Sequence, residues 1–151
     1  MSIYPAAMHP RWFSRLLITN IVVQTGIIVT GAVVRVTASG LGCPTWPECV
    51  DGSITPTDSQ VEAWHKYVEF GNRTLTGILF IVAVLVALAV RSRFVDASVR
   101  RLGYAALAGT LGQALLGGVT VLTGLNPYTV ASHLLLSVVI VAYCVKLWWI
   151  T

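Results

Sequence analysis

Charged side chains are scarce in this sequence. Asp, Glu, Lys and Arg make up 11% of the 151 residues, only six residues are acidic, and 56% are hydrophobic, with a mean hydropathy of +0.78. This composition excludes a soluble globular protein. Three segments contain no charged residue and are long enough to cross a bilayer, namely 16–34, 74–90 and 102–145. The sequence therefore predicts a polytopic membrane protein.

The longest of these segments has about twice the length of one membrane span. It is interrupted by Gly124-Leu125-Asn126-Pro127, a turn sequence that ends in a helix-stopping proline. We therefore predict an all-α fold in which residues 1–151 form one four-helix bundle, built as two helical hairpins. The predicted spans are residues 16–36, 66–90, 102–123 and 129–149. The first and third spans end in similar sequences, Gly31 to Thr37 and Gly117 to Thr123, which indicates a weak internal repeat.

The distribution of basic residues predicts the orientation in the membrane. They precede the first span and fill the loop between the second and third spans, as Arg11, Arg15, Arg91, Arg93, Arg100 and Arg101. The loop 37–61 has no Lys or Arg. Because short cytoplasmic loops carry the basic excess, we predict cytoplasmic termini and an exofacial 37–61 loop. The basic residues lie beside the spans, so the net charge of +4 favours the lipid bilayer as their partner and gives no support to nucleic-acid binding.

Two cysteines of the exofacial loop, Cys43 and Cys49, are separated by five residues. On the oxidising side of a membrane, a disulfide is the expected state of such a pair. Two roles remain open for it: a covalent staple of the loop, or a redox-active pair that passes electrons. Cys144, deep in the fourth span, is predicted to serve packing.

The start of the second span is the densest polar segment of the chain. Its polar residues recur at three- and four-residue spacing and so share one helix face: Glu62, His65, Lys66, Glu69, Asn72 and Arg73. Glu62 is expected to pair with Lys66 at a solvated helix end. Glu69 is expected to pair with Arg73. Because ionisable groups at or inside the membrane boundary are costly, Glu69, Asn72 and Arg73 indicate an internal functional role.

Two amides, Gln24 and Gln113, lie inside the spans, one in each predicted hairpin. An amide in hydrocarbon needs a hydrogen-bond partner, so both are expected to face the bundle interior. Either an interhelical hydrogen bond or a ligand contact would meet that need.

His133 is the most informative single residue, because an intramembrane histidine tends to bind a metal or relay protons. In an apolar helical bundle it suits an axial haem ligand, and a histidine satisfied within the core is the alternative. At a rise of about 1.5 Å per residue, His65 lies about 37 Å from the inner end of its span at Val90, and Asn72 about 27 Å. His133 lies about 22 Å from Trp148 at the inner end of its own span. Asn72 therefore matches the depth of His133 better than His65 does.

Several motifs together carry a family resemblance. They are Gly31 to Leu41 running into Cys43-Pro44 and Trp46-Pro47, then Glu69-Phe70-Gly71-Asn72-Arg73, then Gln113 with Gly117-Gly118, and finally His133-Leu134. From Ile18 onward the chain resembles the amino-terminal half of the haem A synthase family. Members of that family have eight helices in two similar halves, so this chain resembles one half, to be completed by a second half or by a second copy in a homo-oligomer.

The resemblance implies an oxidoreductase that converts the C8 methyl of haem O to the formyl of haem A for cytochrome oxidase assembly. It implies haem O as the substrate, haem b as a cofactor, a haem O synthase as a partner, and a location in the cytoplasmic membrane. By position, Glu69 is the family's catalytic acidic residue and His133 its haem ligand. Cys43 and Cys49 are the family's exofacial cysteine pair.

One departure from the family pattern concerns the second haem ligand. Asn72 stands where the family's Glu-x-x-His-Arg motif has its histidine, unless His65 takes that place. A second register, Glu62-x-x-His65-Lys66, restores the histidine but loses the arginine. We favour the register of Glu69, in which Arg73 is the family's arginine. Arg35 and Arg73 are then the candidates for binding haem propionates by charge-assisted hydrogen bonds.

Two alternative functions are weighed against this one. The first is a membrane thiol oxidoreductase that passes electrons from Cys43 and Cys49 to a quinone, although such a relay normally needs a second cysteine pair. The second is a b-type haem electron carrier with no chemistry on its haem. That function needs two histidines at matched depth, which the depth comparison disfavours.

Overall fold

The computed structural model describes residues 10–58, 60–91 and 96–151. It contains four α-helices: α1 (Arg11–Val36), α2 (His65–Ala89), α3 (Ala97–Leu122) and α4 (Pro127–Trp149). All four are long and apolar enough to cross a membrane. The prediction of an all-α membrane bundle with four spans is confirmed.

Two helix starts lie more than two residues before the predicted spans. Helices α1 and α3 begin at Arg11 and Ala97, five residues before the predicted starts at 16 and 102. The added turns contain Arg11, Arg15, Arg100 and Arg101, which are exposed. The predicted spans were too short because they were bounded by the charge-free segments, while exposed arginines continue the helix beyond them. Arg93 lies outside the described residues.

The helices form a square arrangement. Helices α1 and α3 each pack against α2 and α4, so α1 faces α3, and α2 faces α4, across the two diagonals. We call the end of the bundle where α2 and α4 begin the loop end, because the 37–64 loop lies there. The opposite end is the core end.

Tight apolar packing fills the core end. A buried cluster joins all four helices and consists of Phe13, Leu17, Val86, Val90, Val99 and Leu147. Glycine permits close approach of the helices here, because a Cβ added at Gly103 would lie 2.6 Å from the Val90 side chain. A second buried cluster of Ala106, Ile140 and Cys144 continues this packing towards the middle of the bundle.

The sequence repeat is reproduced in the local structure. The hydroxyl of Thr37 donates to the carbonyl of Val33 at 2.8 Å, and that of Thr123 donates to the carbonyl of Val119 at 2.8 Å. The residue that follows each threonine has a positive φ, 54° at Ala38 and 62° at Gly124. Helices α1 and α3 therefore end in the same way at the loop end.

Candidate functional site

A cavity of about 570 Å³ lies between the four helices at the loop end. Its volume is in the range of small-molecule and cofactor sites. The polar side chains on its wall are Gln24, Arg35, Glu69, Asn72, Arg73, Thr76, Thr110, Gln113, Thr120, His133 and Ser137. Gln24 donates from Nε2 to Oγ1 of Thr110 at 3.0 Å, and this buried hydrogen bond joins α1 to α3 across the bundle. Both predicted interior amides, Gln24 and Gln113, thus face the interior.

His133 lies on the α4 wall of the cavity. Its ring edge rests against Gly117, where an added Cβ would be 3.3 Å from Cε1. Within the described part of the chain, Nδ1 is buried and has no hydrogen-bond partner. The backbone carbonyl of His133, by contrast, accepts from Nε2 of Gln113 at 2.8 Å and from Oγ of Ser137 at 3.0 Å. The backbone of His133 is therefore held while its ring remains available to a ligand.

Asn72 lies on the α2 wall, across the cavity diagonal from α4. Its Oδ1 accepts a hydrogen bond from Oγ1 of Thr30 on α1 at 2.7 Å. Asn72 and His133 line the same cavity, as their matched depths predicted. Thr30 was not among the predicted residues, since a lone threonine in an apolar span carries no signal of its own.

His65 is placed elsewhere. It is the first residue of α2, its Nδ1 lies 2.9 Å from Oγ of Ser39, and its ring stacks on Trp64 with the centroids 4.1 Å apart. It is not part of the cavity wall. The structure therefore does not bring His65 together with His133.

Glu69 and Arg73 form the predicted ion pair beneath the 37–64 loop. Glu69 is 4% exposed, and its Oε1 accepts from Arg73 Nη2 at 2.6 Å and from Nε at 3.2 Å. The other carboxylate oxygen accepts from the backbone N–H of Cys43 at 2.8 Å. The carboxylate thus links α2 to the loop.

Arg73 has no donor left for a ligand. Besides Glu69, it donates from Nη1 to the carbonyls of Thr45 and Glu48, and from Nη2 to that of Cys43, at 2.6–3.0 Å. These bonds engage all five N–H groups of a guanidinium. Arg73 therefore fixes the loop on the bundle, a role that the spacing along α2 could not reveal.

The loop is also closed covalently. Cys43 and Cys49 form the predicted disulfide, and neither residue has exposed surface. Between them, Trp46 lines the cavity and packs on α3, because a Cβ added at Gly118 would lie 2.6 Å from Cδ2 of the indole. The disulfide loop thus forms one wall of the cavity.

The predicted pair of Glu62 and Lys66 is wrong. Lys66 is buried, and its Nζ donates to the carbonyl of Thr57 at 2.6 Å. The loop folds over the start of α2 and covers this side chain, so a helix end that looks solvated in sequence is enclosed. In the described segments, the ion pair of Glu69 and Arg73 is the one salt bridge present.

Arg35 supplies a cation at the rim of the cavity. It lies in the last turn of α1, is exposed, and lines the cavity. No acidic residue of the described ranges pairs with it. A positive charge is thus available to an anionic group of a ligand. Over the same ranges, no group of three His, Cys, Asp or Glu residues is arranged to hold a bare metal ion.

Comparisons with known proteins place this geometry in context. Residues 14–151 match the sequence model of the family described as cytochrome oxidase assembly protein. The chain is 32% identical over 133 residues to a haem A synthase of Lysinibacillus sphaericus, covering 87% of this chain and 42% of that protein. It is 31% identical over 132 residues to a haem A synthase of Listeria welshimeri, covering 86% and 42%. One from Geobacillus thermodenitrificans is 28% identical over 121 residues, covering 79% and 37%. The chain spans about two fifths of the length of these curated relatives.

Proposed function

The chain belongs to the haem A synthase family of cytochrome oxidase assembly proteins, and from this membership we propose that it binds haem in the cavity at the loop end, with His133 as the axial ligand. The observation that carries the proposal is the imidazole of His133, which lines that cavity and has no protein partner among the described residues. Imidazole is a common axial ligand of haem iron.

The cavity wall suits a flat, largely apolar ring with acidic substituents. Gly31 and Gly117 line it from α1 and α3, and an added Cβ at Gly31 would have nothing within 4 Å. Arg35 is the residue that we propose for a propionate, because a charge-assisted hydrogen bond needs a donor that is still available. Arg73 was the other candidate, but its donors are engaged by the loop and by Glu69.

Only one strong axial ligand is proposed for this unit. Asn72 lines the same cavity from α2, and an amide is a poor ligand for iron. We therefore propose that His133 would be the one strong protein ligand of the haem iron, which would leave the iron accessible to water or a small exogenous ligand. His65, which bonds to Ser39 away from the cavity, is left out of the ligand set.

The proposed reaction is oxidation of the C8 methyl of haem O to the formyl of haem A, in which the formyl oxygen comes from water and the released electrons pass to an external electron acceptor. A bound haem supplies redox-active iron and a conjugated ring next to this methyl group. For Glu69 we propose the role of proton acceptor, since it lines the cavity and is oriented by Arg73 and the Cys43 N–H. Its two hydrogen-bonded oxygens fix the carboxylate at one place on the wall.

We propose that this chain carries out the reaction only as part of a larger assembly. Because the chain spans about two fifths of its relatives' length, we propose that a second haem-binding unit, either a further half or a second copy, completes the enzyme and carries haem b. A haem O synthase is the proposed source of the substrate. The proposed location is the cytoplasmic membrane, with the 37–64 loop exofacial and the termini cytoplasmic.

The two alternative functions are not supported. The curated relatives compared above are haem A synthases, and the Cys43–Cys49 disulfide has no surface available for exchange with an external dithiol. A b-type carrier with two histidine ligands would need a second histidine in the cavity wall, where Asn72 lies instead.

The test is haem binding by the full chain, purified in mild detergent after loading with haem O. Visible spectra of the oxidised and reduced forms, a pyridine haemochrome and mass analysis of the extracted macrocycle report occupancy and product. We expect bound haem, loss of that haem in His133→Ala, and its retention in His65→Ala. Haem that survives in His133→Ala but is lost in His65→Ala would overturn the ligand assignment.

A second variant tests whether His133 is the one strong protein ligand of the haem iron. We expect the reduced haem-loaded protein to bind carbon monoxide, because no strong ligand faces His133. Asn72→His restores the family's histidine and should give a six-coordinate, low-spin spectrum with carbon monoxide binding suppressed. A wild-type spectrum that is already six-coordinate and low-spin would contradict the assignment of Asn72.

A further inference from the structure

Two polar atoms without partners lie on adjoining parts of the cavity wall. Among the described residues, three buried side-chain polar atoms lack a hydrogen bond: Oε1 of Gln113, Nδ1 of His133 and Oδ1 of Asn20. The first two belong to residues that line the cavity. One is an acceptor, and the other is a ring nitrogen that can carry a proton. Buried polar groups normally find partners, so this complementary pair requires an explanation.

Gln113 is already joined to the α4 segment that carries His133. Its Nε2 donates to the carbonyl of His133 at 2.8 Å and also to Oγ of Ser137. Gly117, one turn further along α3, contacts the ring of His133. The amide of Gln113 and the imidazole of His133 are therefore held on neighbouring turns of one helix pair, with the amide nitrogen engaged and the amide oxygen unused.

This inference rests on the proposed haem binding. We propose that Gln113 is a positioning residue for His133, whose Nδ1–H donates a hydrogen bond to Oε1 of Gln113 when its Nε2 binds iron. A metal-bound histidine nearly always donates its second ring N–H to an acceptor, which fixes the tautomer and raises the basicity of the ligand. Among the buried side-chain atoms of the described residues that line the cavity, Oε1 of Gln113 is the one acceptor without a partner. Gln113 acts through His133 and does not touch the reacting methyl group.

The experiment compares Gln113→Leu with Gln113→Glu in the haem-loaded protein. The leucine variant removes the acceptor, so the iron–histidine stretching band should move to lower frequency and the reduction potential should rise. The glutamate variant keeps an acceptor and strengthens it, so both quantities should move in the opposite direction. Haem affinity should fall about ten- to a hundredfold in the leucine variant, the usual cost of losing such a partner.

Ser137→Ala is the matched control. It removes the side-chain partner of Gln113 Nε2, keeps the backbone partner at His133, and leaves Oε1 in place. If Gln113 only joins α3 to α4, then Ser137→Ala and both Gln113 variants should alter thermal stability alone, with the stretching band and the potential unchanged. If this result is obtained and the wild-type protein binds haem through His133, only the inference about Gln113 is overturned. Absence of haem from the wild type would overturn the proposed function as well.

Discussion

At the two ends of this bundle, Gly103 and Gly31 have opposite surroundings. At the core end, Gly103 lets α3 lie close to the Val90 side chain, which an added Cβ would meet at 2.6 Å. At the loop end, an added Cβ at Gly31 would meet nothing within 4 Å. Gly103 therefore permits close packing at the core end, while Gly31 borders open space at the loop end. Glycine content alone does not tell the two uses apart, because the difference depends on the residues across the interface.

The ends also differ in what holds the helices together. Apolar side chains such as Leu17 and Val86 fill the core end. At the loop end, α2 is tied to the 37–64 loop through Glu69, Arg73 and the backbone of Cys43. The loop end can thus remain open at its centre because hydrogen bonds at its edge take the place of a filled core.

Filling the cavity should have the largest effect on function. We expect Gly31→Phe to abolish haem binding, because the added ring would extend from α1 into the space that the proposed ligand needs. The fold should survive, since there is room for the side chain and phenylalanine has a helix propensity about 0.5 kcal/mol better than glycine. Haem occupancy and thermal unfolding of the same preparations are the measurements.

Gly77→Phe is the matched control for this substitution. Gly77 also has nothing within 4 Å of an added Cβ, but it is exposed on α2 and is not part of the cavity wall. Its haem occupancy should equal that of the wild type. Equal loss of haem in both variants would show that the effect does not come from the cavity.

The four helices and much of the cavity wall could be predicted from the sequence. Charge-free length gave four spans, and the cost of polar groups in hydrocarbon selected Gln24, Gln113 and His133 as interior residues. Depth counted along two helices brought Asn72 to the level of His133. These predictions succeeded because each depends on one helix or on one helix pair.

The roles that depend on the loop could not be predicted. Arg73 donates to the carbonyls of Thr45 and Glu48, and Lys66 to that of Thr57. These acceptors are backbone atoms, so no side-chain pattern marks them. From the sequence, Lys66 and Arg73 were therefore predicted to pair with nearby carboxylates or with a ligand. In the structure, both bind backbone carbonyls of the loop.

Removing the cation that ties the loop to the bundle should have the next largest effect. Arg73→Leu leaves Glu69 charged and buried and frees loop carbonyls from their donor. We expect the free energy of unfolding to fall by about 3 kcal/mol. Arg35→Leu is the comparison, since Arg35 pairs with no acidic residue of the described ranges and should change stability by no more than about 0.5 kcal/mol. Similar losses in the two variants, measured by unfolding in detergent, would contradict the role given to Arg73.

The smallest expected effects are changes in the free energy of unfolding when two buried amides at different depths are replaced. At the core end, Asn20 donates only to the sulfur of Cys144 at 3.2 Å, and its Oδ1 has no partner among the described residues. Asn20→Leu removes an unsatisfied acceptor from an apolar core and should stabilise the fold by about 1 kcal/mol. At the cavity, Gln24→Leu breaks the bond to Thr110 and should destabilise it by about 0.6 kcal/mol, the mean for interhelical hydrogen bonds in a membrane. Opposite signs in one unfolding assay would show that polar groups stabilise the loop end and weaken the core end. A loss of stability in both variants would mean that the two ends tolerate buried amides alike.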